Sequence, residues 1–173
     1  MEYFQDGIDL RFISQDYTRY RTTYINALVE LLAENSEDSI WIESLYFSPP
    51  FTIAYDLYKG AVNELDIKVL LNNEHYIDNK SNYSLQKLYY NILVVNGANI
   101  YEYYETMLHS KILIFDHQIA VFGTFNMSFR SFFLDSECVL VTDDPEFIRE
   151  LEDYYLSRVE KSHLVRYEDI ENN

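Results

Sequence analysis

The sequence predicts an α/β sandwich, a sheet flanked by helices, and three observations predict it. Short runs of β-branched and aromatic residues alternate along the chain with longer segments whose apolar residues recur at helical spacing. Two such runs, Ile112-Leu113-Ile114-Phe115 and Ile119-Ala120-Val121-Phe122, are separated only by Asp116-His117-Gln118, which is a hairpin signature. The 173 residues are 48% apolar, enough for a sizeable core in one domain spanning 1–173.

Residues 8–12 read as a first strand. Residues 17–33 read as an amphipathic helix with Tyr20, Tyr24, Ala27, Leu28, Leu31 and Leu32 on its apolar face. Residues 40–47 form a strand that Pro49-Pro50 ends, 51–63 a helix packed on the sheet, and 67–71 the next strand. Residues 72–82 are rich in Asn and Asp and read as a loop carrying His75. A helix over 83–95 turns Leu85, Leu88, Tyr89, Ile92 and Leu93 inward, and Gly97 resembles its C-cap. Residues 100–104 are a strand. Beyond the hairpin, residues 136–141 form a buried strand in which Cys138 serves packing. Asp144-Pro145 opens a long helix to about residue 161, with Phe147, Ile148, Leu151, Tyr155 and Val159 as its buried stripe. Residues 168–173 read as a frayed tail.

Charge restricts the partners. The net charge is −16, and residues 135–173 hold 12 acids against 4 bases, a balance of −8. A surface of that sign repels nucleic acid and anionic bilayers alike. A nuclease role is therefore disfavoured, although a local pocket of positive charge keeps it open. One cysteine argues against a disulfide framework and fits a reducing compartment. The acidic start Met1-Glu2-Tyr3-Phe4-Gln5-Asp6-Gly7 does not read as a signal peptide, and no apolar stretch reaches the length of a membrane span. The expectation is a cytoplasmic protein, at most peripheral to the inner face of the membrane. No metal or other cofactor is implied, because the histidines lack zinc-ligand spacing.

The chemistry concentrates in one segment. His109-x-Lys111, four residues, Asp116, six residues, then Gly123-Thr124-x-Asn126 places an imidazole, an ammonium, a carboxylate, a hydroxyl and an amide within eighteen residues. These are groups suited to surround a phosphate ester. His109 and Lys111, two apart, share one face of an extended chain. The hairpin returns Thr124 and Asn126 beside them, and Gly123 lets backbone N–H groups approach an anion. Taken singly, each residue has a plainer reading: an exposed histidine, a turn aspartate, an ordinary loop. Their joint spacing points to catalysis.

The pattern resembles the signature motif of the phospholipase D superfamily. Arg130-Ser131, a short apolar stretch and Glu137 resemble the C-terminal half of bacterial cardiolipin synthases. So do Tyr46-Phe47-Ser48-Pro49 after the strand at 40–47, the run Asp66-Ile67-Lys68-Val69-Leu70-Leu71 and the run Gly97 to Tyr103. The similarity runs from about residue 8 to about residue 167, and those synthases carry two such motifs where this chain has one.

The resemblance implies a mixed sheet between helices and a double displacement through a phosphohistidine. His109 is the nucleophile or the acid that protonates the leaving oxygen. Lys111 and Asn126 hold the non-bridging oxygens, and Thr124 keeps the hydroxyl of the commoner Ser. Glu137 sits where a carboxylate receives the second ring nitrogen of the histidine. Asp116 is structural, anchoring the pocket. Arg130 contacts a substrate phosphate or pairs with a nearby acid, and Thr124 and Ser131 belong with it to the substrate-binding set. The loop with His75 lies near the site mouth.

Two histidines are needed on opposite sides of the phosphorus, so one motif implies a homodimer with His109 facing its mate, or a partner chain supplying the second motif. A half-enzyme inactive alone is the third reading. A phospholipid is the favoured substrate, and a nuclease or other homodimeric phosphodiesterase is the alternative.

Overall fold

A computed structural model describes residues 7–17 and 23–171. Among the described residues, eight strands form one mixed sheet. They are β1 (Arg11–Gln15), β2 (Ser39–Glu43), β3 (Asp66–Asn72), β4 (Asn99–Tyr103), β5 (Ile112–Phe115), β6 (Ile119–Gly123), β7 (Glu137–Thr142) and β8 (Ser162–Leu164). Their order across the sheet is β1-β7-β6-β5-β2-β3-β4-β8. β2, β3 and β4 run parallel, and every other neighbour is antiparallel. The helices are α1 (Tyr24–Asn35), α2 (Phe51–Val62), α3 (Lys80–Val95), α4 (Phe129–Phe133), α5 (Pro145–Val159) and α6 (Tyr167–Glu171). No helix among the described residues is long and apolar enough to cross a membrane.

The two faces carry separate cores. On one face Ile25 and Val29 of α1, Ile53 and Leu57 of α2 and Leu93 of α3 pack against Ile42, Val69, Ile100 and Leu113. On the other, α5 alone lays Ile148 and Tyr155 over Trp41, Leu70, Ile112 and Ile114. Strand alternation produces this division, since Ile112 and Ile114 face α5 while Leu113 and Phe115 face the helical layer. α5 starts as expected: Asp144 Oδ1 accepts the N–H groups of Glu146 (3.1 Å) and Phe147 (2.8 Å), with Pro145 in the first turn. The sandwich is the predicted one, and the strand boundaries shift by only a few residues, β1 by three.

The helix faces differ more. In α1 the buried residues are Ile25, Asn26, Val29 and Ala33, while Tyr24, Ala27 and Leu31 face outward; Tyr20, at 18–22, lies outside the described residues. In α3 the stripe of Leu85, Leu88 and Ile92 is exposed, and Gln86, Tyr90 and Leu93 turn inward. Of the expected faces, Leu93 is buried and Leu28, Leu32 and Tyr89 pack partly against the core, while the other members turn outward. More than one stripe has helical spacing, and apolarity alone does not choose between them. Gln86 is buried because its amide donates to the Asn72 carbonyl (2.9 Å) and to the Tyr90 hydroxyl (2.9 Å), which in turn donates to Glu102 (2.9 Å). The loop expected at 72–82 is likewise corrected: Asn72 ends β3, Asn72 and Asn73 are buried, and α3 begins at Lys80 with Asn79 as its cap. The tail expected at 168–173 forms α6 to Glu171. The Asp169 carboxylate there accepts the Arg166 N–H (2.8 Å) and meets His163 (2.9 Å), and residues 172–173 lie outside the described ones. Cys138 is half-buried rather than buried.

Candidate active site

The parallel strands β2, β3 and β4 end at Glu43, Asn72 and Tyr103, and the carboxyl edge of such strands is where α/β folds gather their chemistry. β5 runs against β2, with Ile112 opposite Glu43, so its first residues arrive at the same edge. Lys111 and His109 lie just before β5, at the end of the irregular segment 104–111. β6 then brings the chain back. Residues 124–128 are pinned beside the 44–48 loop, through Ser48 N–H to Met127 O (2.9 Å), Phe129 N–H to Ser48 O (2.8 Å) and Met127 N–H to Ser44 Oγ (3.0 Å). β7 opens with Glu137 at the same edge.

Lys111 is 7% exposed, while His109 beside it faces solvent. The Lys111 ammonium meets the His109 carbonyl and its ring Nδ1, the latter at 3.2 Å. An ammonium can only donate, so Nδ1 accepts there and a neutral ring carries its proton on Nε2. Burial pushes the Lys111 pKa below the usual lysine range, and the nearby carboxylates of Glu137 and Glu43 oppose that shift.

Glu137 is held by hydroxyls. Ser131 Oγ donates to its Oε1 (2.6 Å) and Thr124 Oγ1 to its Oε2. Ser131 is 1% exposed and its Oγ also accepts the Asn126 N–H (3.1 Å), so it supports two site residues from behind rather than facing a substrate. The Asn126 side-chain oxygen lies 3.5 Å from Ser44 Oγ. Of the two roles open to Arg130, the structure shows the ion pair: its Nε and Nη2 donate to Asp135 at 3.0 and 2.7 Å. His75 is exposed, 3.7 Å from Glu74.

Asp116 is not brought to this edge. The four residues of β5 separate it from Lys111, a span of roughly 17 Å. At that far end its carboxylate accepts the N–H groups of Glu37 (3.1 Å), Asp38 (2.9 Å) and Ser39 (3.0 Å), tying the hairpin to the start of β2. Asp116 and His117 take positive φ (52° and 57°) and Gln118 N–H closes on Phe115 O (3.0 Å), a primed hairpin turn.

Gly123 also acts differently from expectation. A Cβ there would sit 2.4 Å from Cys138 O and 2.9 Å from Val139 Cα, so the missing side chain admits β7. The backbone N–H groups are already committed: Gly123 to Lys111 O (3.2 Å) and Thr124 to Cys138 O (3.0 Å). These two N–H groups are therefore not free to receive an anion.

Sequence reasoning missed Glu43. It is wholly buried behind Ser110, whose hydroxyl donates to its Oε1, with Arg158 Nη1 3.8 Å from that oxygen. Its Oε2 has no hydrogen-bond partner among the described residues, and burial raises its pKa. Beside Lys111 and Ser110 opens a cleft of about 410 Å³ walled by Phe122, Phe147, Leu151 and Tyr154.

Known proteins align with this arrangement. A family model described as cardiolipin synthase, PLD-like domain, matches residues 28–159. The cardiolipin synthase of Alkalihalophilus pseudofirmus is 32% identical over 138 residues, covering 80% of this chain and 27% of that protein. Cardiolipin synthase A of Pseudomonas syringae is 28% identical over 175 residues, covering 95% of this chain and 36% of that protein. The chain thus spans about a quarter to a third of the length of the curated relatives it matches. Among solved structures, the phospholipase D family member Nuc of Salmonella typhimurium superposes with a TM-score of 0.74 at 15% identity, over 92% of this chain and 99% of that one. The phosphatidylserine synthase of Haemophilus influenzae gives 0.73 at 14% identity, over 91% of this chain and 40% of that one.

Proposed function

The chain belongs to the phospholipase D-like domain family of cardiolipin synthases, and on that premise we propose that it is one catalytic domain of a phosphodiesterase or phosphatidyltransferase that works through a phosphohistidine. The observation that carries the reading is the convergence at one sheet edge of exposed His109, buried Lys111, Asn126 and the hydroxyl-held Glu137.

His109 Nε2 attacks phosphorus, and the bond from phosphorus to the leaving alcohol oxygen breaks. A second histidine, from another copy of the chain or from a partner chain, gives that oxygen a proton. An acceptor alcohol or water then attacks phosphorus, the phosphorus–nitrogen bond breaks to return His109, and the second histidine takes the acceptor's proton. For the attack Nε2 must be unprotonated, so the ring's proton moves to Nδ1. Glu137 receives that N–H once Lys111 turns from the ring to the phosphoryl oxygens. Lys111 and Asn126 neutralise the charge that builds on the equatorial oxygens. Thr124 holds Glu137.

A phospholipid is the substrate class that the surroundings favour. The cleft beside Lys111 is walled mostly by apolar and aromatic side chains, with Glu150 among them. Since the −16 charge repels nucleic acid and anionic bilayers alike, it is the apolar wall that supports a lipid. The test is light scattering on the wild type and His109→Ala, with bis-p-nitrophenyl phosphate hydrolysis measured on the same fractions. A dimer whose hydrolysis disappears in His109→Ala is expected. Activity that survives His109→Ala overturns the phosphohistidine. An inactive monomer assigns the second histidine to another chain. Turnover of phosphatidylglycerol micelles, with single-stranded and duplex DNA left intact, is the expected substrate result.

A further inference from the structure

We propose that Asn72 is a positioning residue for His109, acting through the backbone of Leu108. This rests on the reading of His109 as the nucleophile. The segment 104–111 that delivers His109 has no regular structure and makes no ladder of its own. Within it, Leu108 is the fixed point. Its side chain is fully buried in the core under α5, and both of its backbone polar groups are taken by one side chain. Asn72 Nδ2 donates to Leu108 O (2.8 Å), and Asn72 Oδ1 accepts Leu108 N–H (2.7 Å).

A carboxamide is the side chain suited to this task, since it offers a donor and an acceptor side by side and carries no charge. A carboxylate would lose the donor, and a lysine the acceptor. The paired bonds imitate one rung of a sheet, made by a side chain where β3 has passed the end of β2 while still pairing with β4. Asn72 is itself immobilised. It is wholly buried, its carbonyl accepts from Gln86 Nε2 (2.9 Å), and Gln86 bonds Tyr90, which bonds Glu102 (each 2.9 Å). Asn73 repeats the device one residue on, donating to Tyr103 O and accepting His75 N–H (2.7 Å). Rigid β3 thus dictates where the residue before His109 lies, and a displacement of about 1 Å at a reacting group can cost about 100-fold in rate.

The test compares Asn72→Ala and Asn72→Asp with Val69→Ala, a cavity in the same strand away from the clamp. Asn72→Asp keeps the size and the acceptor and serves if Asn72→Ala does not fold. With bis-p-nitrophenyl phosphate, the Asn72 variants are expected to lose about 30- to 100-fold in kcat with KM within about threefold. Val69→Ala should stay within about threefold in kcat at a temperature where all are folded. In NMR spectra of the histidine rings, His109 should shift or broaden in the Asn72 variants while His117 and His163 stay in place. Wild-type kcat in the folded Asn72 variants, an equal loss in Val69→Ala, or an unmoved His109 ring overturns the proposal. The ring signal separates this claim from the proposed function. If the wild type proves inactive on diesters, because the second histidine comes from another chain or because the function reading fails, the ring signal alone decides the clamp.

Discussion

The two ends of β5 are secured by opposite means. At the far end an ionised-type group, the Asp116 carboxylate, gathers three backbone N–H groups from the loop entering β2. At the site end the chain is held by a neutral carboxamide, Asn72, and by the burial of Leu108. Lys111 occupies that end without an ion-pair partner inside 4.0 Å among the described residues. An anchor can use strong charge-assisted hydrogen bonds because nothing else happens there. The clamp at the site end is uncharged, while the carboxylates near Lys111, Glu137 and buried Glu43, are held by hydroxyls and lie outside ion-pair distance of its ammonium.

Breaking each end should therefore produce different losses. Lys111→Met is expected to reduce kcat/KM by about 1,000-fold through the lost charge on the equatorial oxygens. Its unfolding free energy should change by less than about 1 kcal/mol, because a buried, desolvated ammonium is exchanged for an apolar chain of similar length. Urea unfolding and diester kinetics on one sample check both. Asp116→Ala should do the reverse, costing about 3 kcal/mol as three N–H groups lose their acceptor, with kcat within about threefold where the protein remains folded.

Glu137→Gln sharpens the comparison through pH. The lowered Lys111 pKa lies below 10.5 in the folded chain, and the ammonium is the form that binds phosphoryl oxygens. Activity should thus fall as pH rises through that folded value. Over the interval up to 10.5 the unfolded chain holds the proton that the folded one has shed, so the Lys111 contribution to stability rises with pH there. Glu137 opposes the lowering, and removing its charge should move the alkaline limb of the kcat/KM profile to lower pH. An unmoved limb would place the limiting titration elsewhere. The smallest effect belongs to Arg130→Ala. The Asp135 pair is on the surface, so the unfolding midpoint should stay at the wild-type value and kcat should change by less than about threefold.

Much of this was legible in the sequence because it depends on apolar patterning and local turn chemistry. The runs at 112–115 and 119–122 became β5 and β6, and the Asp-Pro start of α5 formed its cap. The buried polar residues were not legible. Asn72, Asn73, Gln86 and Glu43 are of types usually found on the surface, and nothing local marks them as interior. Their partners, such as Leu108 for Asn72 and Ser110 for Glu43, lie 36 and 67 residues away in the chain. The same long-range demand made Gln86 outrank Leu85 and Leu88 for the inner face of α3. At the site, the resemblance named His109, Lys111 and Glu137. It did not show that Ser131 faces inward or that Asp116 lies at the opposite end of the strand.

The sheet order has a consequence for how the protein is made. β1 pairs with β7, so Gln15 meets Glu137, 122 positions further along the chain. A ribosome adding about 5–20 residues per second needs roughly 6–24 seconds to supply that partner. Until then an early segment with Ile8, Leu10 and Phe12, exposed even in the finished fold, waits without its neighbour. Slowed translation between residues 15 and 137 should lengthen that wait and lower the soluble yield, and a chaperone that shields nascent chains should restore it.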